Sequence, residues 1–119
     1  MYQVFRQIID LAETCNEGLE YIKNMLEEGC FEETVPLLID FVNAFHSIEK
    51  ALQLVESLLL TERLGTHTEI LGQNLDLIVT AYEQRDLNKA YQVMDQKLLP
   101  SYKEWHAELD RVLLPVVVS

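Results

Sequence analysis

The sequence predicts an all-α fold, an antiparallel up-down four-helix bundle whose last helix is kinked or broken at Pro100. Two observations carry that reading. Between Leu37 and Leu60, the residues Leu38, Phe41, Phe45, Ile48, Leu52, Val55 and Leu59 recur at alternating spacings of three and four. That is the period of one helical face turned toward neighbours. Leu37, Val42, Ala44, Ala51 and Leu58 widen the face beyond a coiled-coil seam, so this helix must lie between others. The second observation is that the connections are short, which makes consecutive rods antiparallel.

Taken in order, the first helix is expected over 2–28, with Phe5, Ile8, Ala12, Cys15, Leu19, Ile22 and Leu26 as its apolar stripe. Asp10, Glu13, Glu17, Glu20 and Glu27 lie opposite it as a solvated face. Gly18 interrupts the helix at up to about 1 kcal/mol relative to alanine, which suggests a close helical neighbour. Gly29 is a natural left-handed stop. The second helix is expected over 31–63, with the acidic start Glu32-Glu33 and Pro36 within the first turn or so, where a missing N–H matters little. Leu64-Gly65 should end it.

Thr66-His67-Thr68-Glu69 matches a capping box for a third helix with Leu71, Leu75, Ile78 and Tyr82 inward, ending near Gln84. Gly72 beside Leu71 repeats the logic of Gly18. Asp86 is then an N-cap for a fourth helix carrying Leu87, Tyr91, Met94 and Leu98 inward. Pro100 removes a hydrogen bond and crowds the carbonyl of Gln96, hence the expected kink. Tyr102, Trp105, Leu109, Val112 and Leu113 resume the stripe until Pro115 ends the helix. The domain is read as residues 1–114, with 115–119 a short apolar tail. The turns Gly29-Cys30-Phe31 and Arg85-Asp86-Leu87 look alike, as two helical hairpins would.

On these bounds the rods are unequal. The third helix leaves about 15 Å of the tip formed by Ile22, Met25, Leu26, Phe31, Val35 and Leu38 without cover. The fourth overshoots by a similar length, carrying Tyr102, Trp105 and Leu109. Uncovered apolar surface of that extent marks an interface. Ile22, Met25, Leu26, Phe31, Val35, Tyr102, Trp105 and Leu109 are therefore the candidate partner-binding residues, for a second copy of the chain (a dimer) or for another protein. The competing expectation is that Pro100 folds the last segment over the open end and closes a monomer.

Composition narrows the function further. The 119 residues are 49% apolar and 24% charged, with 20 acids against 9 bases and a formal charge of −11. Such a surface repels phosphate backbones and anionic bilayers, so neither nucleic acid nor membrane is an expected partner. No run approaches the roughly 20 apolar residues of a transmembrane helix, and the amino terminus lacks a secretory signal, so a cytoplasmic location is expected. Cys15 and Cys30 have no CxxC spacing, and Cys15 falls on an apolar face.

Chemistry leaves little trace. His46 with Glu49 and His106 with Asp110 are spaced for one helical flank each, but no Glu-x-x-His occurs, so no di-iron site, other metal or cofactor is expected. No phosphate loop, GxSxG or Cys-with-His signature appears, and the serines lack a base in register. The expected function is non-enzymatic: a chaperone-like adaptor or self-associating module acting through protein contact. A small-molecule- or metal-binding bundle, enzymatic or not, is the alternative, and it requires a core pocket with convergent polar groups.

The run Arg85-Asp86-Leu87, Met94-Asp95, Leu99-Pro100 and Trp105 resembles a pattern in small uncharacterised all-helical bacterial proteins, which specifies no active site. The layout is also similar to flagellar export chaperones, compact helical bundles that hold a partner's terminal helix. That second likeness is one of architecture, and it implies no particular binding residues here.

Overall fold

The computed structural model describes residues 2–54 and 62–118. Its elements are α1 (Tyr2–Glu27), α2 (Phe31–Gln53), α3 (Glu62–Glu83), α4 (Leu87–Val93) and α5 (Leu99–Val118). A π-helical turn, Met94–Leu98, carries α4 into α5 without interruption. The described residues contain no strand, and no helix among them is long and apolar enough to cross a membrane.

The stripes decide where these helices form. Every expected inward residue of α1, from Phe5 to Leu26, is buried. So are Leu38, Phe41, Phe45, Ile48 and Leu52 on α2 and Leu71, Leu75 and Ile78 on α3. Burying one such large side chain contributes about 1.5–3 kcal/mol, against a few tenths separating helix propensities.

Two hairpin turns close with one bonding pattern. Gly29 takes φ +81° and Arg85 φ +53°. Behind them, Cys30 N–H donates to the Met25 carbonyl at 2.9 Å and Asp86 N–H to the Ala81 carbonyl at 3.0 Å. This is the six-to-one bond of a Schellman stop. Asp86 then caps α4, its carboxylate accepting from Lys89 N–H at 3.0 Å.

Several element bounds differ from those expected. α2 ends at Gln53, not at Arg63, while Val55, Leu58, Leu59 and Leu60 lie outside the described residues. α3 begins at Glu62, before Gly65, because buried Leu64 belongs to its stripe seven residues ahead of Leu71. Thr66 is therefore interior to a helix and forms no capping box. α2 and α3 match in length, 23 and 22 residues, so the expected 15 Å of missing cover does not arise. α5 continues through Pro115 to Val118, since Val116 and Val117 pack against the core and one lost hydrogen bond does not outweigh that. Gly18 and Gly72 are not sites of close helix approach: a Cβ built at either meets nothing within 4 Å.

Around the bundle, α2 packs on α1, α1 on α5, and α5 on α3, with α3 also covering α4 and the π turn. Along α1 and α4–α5 the residue numbers run in opposite directions. Glu27 accepts from the Tyr91 hydroxyl (2.9 Å), Lys23 pairs with Asp95 (3.1 Å), and Glu20 pairs with Lys103 (2.6 Å). The core is aromatic at its centre. Trp105 lies 5.4 Å from Phe45 and 5.3 Å from Tyr102, which lies 5.6 Å from Phe41. Their polar atoms are satisfied: Tyr102 O–H donates to the Ala12 carbonyl (2.6 Å) and Trp105 Nε1–H to Thr68 Oγ1 (2.9 Å). At the π turn, Asn74 reaches from α3 to donate to Lys97 C=O (3.3 Å) and Ser101 Oγ (3.0 Å).

Candidate functional site

The fourth edge of the bundle, between α2 and α3, is mostly empty. Among the described residues the two helices meet at one end. There the Phe31 and Tyr82 rings lie 4.6 Å apart, the hydroxyls of Thr34 and Tyr82 are hydrogen-bonded at 2.6 Å, and Arg85 Nη1 reaches Glu32 Oε1 at 3.1 Å. Thr34 is fully buried by this contact, and burial pushes the Tyr82 phenol above its ordinary range. Beyond that tip α2 and α3 hardly approach one another among the described residues.

The gap holds two adjoining hollows. The one next to the tip, about 430 Å³, is walled by Val35, Ile39, Val42 and Val79 over Leu38. The further one, about 690 Å³, runs over Phe45 and Leu75 to Leu52 and Leu64. Val42 and Val79 line both, so the two hollows adjoin there along the α2–α3 gap, called the channel below. Ile39, 54% exposed, stands on the α2 rim.

Local sequence explains the emptiness. On the α3 side the wall positions, seven residues apart, are Gly65, Gly72 and Val79. A Cβ at Gly65 or Gly72 would meet nothing within 4 Å. Two helix-interior glycines, each costing about 0.8–1.0 kcal/mol relative to alanine, leave the space unfilled by the described residues.

The expected partner-binding residues divide. Phe31 and Val35 line the channel. Met25 is half-buried near the α1–α2 turn and lines no hollow described here. Ile22, Leu26, Tyr102, Trp105 and Leu109 are buried at 3% exposure or less, so they are core residues and not surface. The reason is the equal length of α2 and α3 together with the uninterrupted run of α5, which covers what unequal rods would have bared. Ile39, Val42, Val79 and the two glycines were not singled out from sequence as a site. Their signal was there: Val35, Ile39 and Val42 flank the α2 stripe on one side only.

The other polar clusters offer less. On the α1–α5 seam, His106 Nε2 lies 3.6 Å from Glu13 Oε2 and 3.5 Å from Asp110 Oδ2, too long for good hydrogen bonds. Burial raises the Asp110 carboxyl above its ordinary range, His106 opposes that, and Glu13 adds to it. Among the described residues no group of His, Cys, Asp and Glu is arranged to hold a metal ion. His46 and Glu49 pair at 2.9 Å on the surface. Cys15 and Cys30 are free thiols. Burial raises the Cys15 thiol, and the neighbouring Glu33 raises that of Cys30, so neither is an activated nucleophile.

The chain belongs to a family described as a domain of unknown function, DUF8042, whose model matches residues 3–108. No curated protein and no solved structure matches it.

Proposed function

We propose that this protein is a non-enzymatic interaction module of the cytoplasm that receives an amphipathic helix from another protein in the α2–α3 channel, in the manner of a chaperone-like adaptor. One observation supports this above the rest: an apolar trough bounded by two helices of matched length, with glycine where filling side chains would stand. Helix-in-groove recognition works this way, with anchors at i, i+3, i+4 and i+7 laid into such a trough. A helix is about 10–12 Å across, and hollows of this size take the side chains of one of its faces. In this reading the chain runs up-down-up-down, with any bend near Pro100 taken up by the π turn before it. A small-molecule site fits less well, because the polar groups sit on the rim and do not converge inside the trough.

The test uses a channel-filling variant. Gly72→Leu places a side chain in the space, where its Cβ meets no neighbour, and improves helix propensity. A synthetic amphipathic helix of about 21 residues, with leucine and alanine on one face and glutamine flanks, is the probe. It is expected to bind the wild type and to bind Gly72→Leu at least about tenfold more weakly, with the variant's circular dichroism unchanged. Equal binding to both proteins would contradict the reading.

A further inference from the structure

Resting on the channel reading above, we infer that the partner helix carries lysine or arginine at seven-residue intervals along the flank that faces α3. The α3 rim dictates this. Glu69, Asp76 and Glu83 border the channel at positions seven residues apart, a straight line of carboxylates about 10.5 Å from one to the next. All three are exposed, and none forms an ion pair among the described residues. The wall row Gly65, Gly72 and Val79 lies beside them, and Leu75 and Tyr82 form the row beneath.

The α2 rim is different. Its corresponding row is Glu32, Ile39, His46 and Gln53. Glu32, the only carboxylate in that row, pairs with Arg85 at 3.1 Å, and Glu49 beside the row is hydrogen-bonded to His46 at 2.9 Å. Among the described residues the channel thus has three carboxylates without an ion pair on its α3 edge, against a row on its α2 edge whose one carboxylate is paired. A helix seated between them meets a rule familiar from paired helices, in which flanking charges choose the partner and its orientation. The matching ligand is apolar below, basic at heptad spacing toward α3, and neutral or mixed toward α2. A helix basic on both flanks gains less from its second flank, and an acidic one is repelled.

Three synthetic helices test this, identical in their apolar face and differing at three heptad-spaced positions on one flank: lysine, glutamine or glutamate. Each is titrated by calorimetry or fluorescence against the full chain and against the triple variant Glu69→Gln, Asp76→Asn, Glu83→Gln. The lysine helix is expected to bind at least about fivefold tighter than the glutamine helix, since three exposed pairs, each weak alone, act together. That advantage should vanish in the triple variant and fade above about 0.5 M salt. A charge-reversed protein, Glu69→Lys, Asp76→Lys, Glu83→Lys, should instead prefer the glutamate helix. Should lysine and glutamine helices bind alike and both be blocked by Gly72→Leu, the charge inference falls while the channel stands. A lysine advantage that survives in the triple variant overturns it as general attraction to an acidic protein. Binding of no helix, or binding that Gly72→Leu leaves intact, brings down both.

Discussion

The α1–α5 seam and the α2–α3 edge are built from the same kind of sequence and end in opposite states. Along α1–α5, large side chains fill the space between the rods: Leu19, Tyr102, Trp105 and Leu109 are all essentially without exposure. Ion pairs and tyrosine hydrogen bonds then tie α1 to α4, the π turn and α5 along its length. Along α2–α3 the wall residues are valine, isoleucine and glycine, and the ties are confined to the tip, where Phe31 and Thr34 meet Tyr82 and Glu32 meets Arg85. Helical periodicity is common to both regions. What separates them is side-chain volume at the facing positions, and that volume determines whether two helices close on each other or leave room for a third.

The filled seam should be the more sensitive to truncation. Trp105→Ala removes the centre of the aromatic cluster and leaves Thr68 without its donor, an expected loss of about 3–5 kcal/mol in urea unfolding. At the open edge the tip is the sensitive point. Thr34→Val leaves the half-buried Tyr82 hydroxyl without its partner, an expected loss of about 1–2 kcal/mol by the same measurement. The channel wall should respond with the opposite sign. Gly72→Ala adds a methyl to open space and is expected to raise stability by up to about 1 kcal/mol, read as a higher urea midpoint at unchanged slope. If it destabilises, the channel is not open as described.

The smallest effect is a pH dependence confined to the filled seam. Burial, more than Glu13, raises the Asp110 carboxyl in the folded state, and His106 only partly offsets this. A raised folded value means the folded state favours the protonated form. The stabilisation is therefore present below the ordinary carboxylate range and lost as pH rises through the folded value. Asp110→Asn, which stays neutral throughout, is expected to gain on the wild type as pH rises from 4 to 7, by a degree or so in Tm measured by scanning calorimetry. A constant difference across that range would show that Asp110 does not titrate in the seam.

How much of this was legible in the sequence follows the same division. The stripes of α1, α2 and α3, the stop at Gly29 and the cap at Asp86 were readable because each is a local property of one helix. Element ends were harder. Nothing between Gln53 and Gly65 breaks the apolar period, so the pattern ran past the end of α2. The Thr66-x-x-Glu69 spacing then suggested a helix start that burial of Leu64 overrides. The site was only partly visible for a further reason. Phe31 and Val35 were picked for a length mismatch that does not exist, yet they do line the channel. Tyr102 and Trp105 resemble interface anchors by type, but which helix covers them is a matter of tertiary pairing. Gly65 and Gly72 were read as a helix stop and a close approach. In fact they line a channel that the described residues leave unfilled, which the period of α3 alone does not reveal.

The most direct test of the open edge is methyl NMR of the full chain, labelled at valine, isoleucine and leucine, during titration with the lysine-flanked helix. The account predicts shifts concentrated at Val35, Ile39, Val42 and Val79, with Leu19, Leu109 and Leu113 unmoved. Shifts centred on the α1–α5 residues, or spread evenly over the protein, would contradict it.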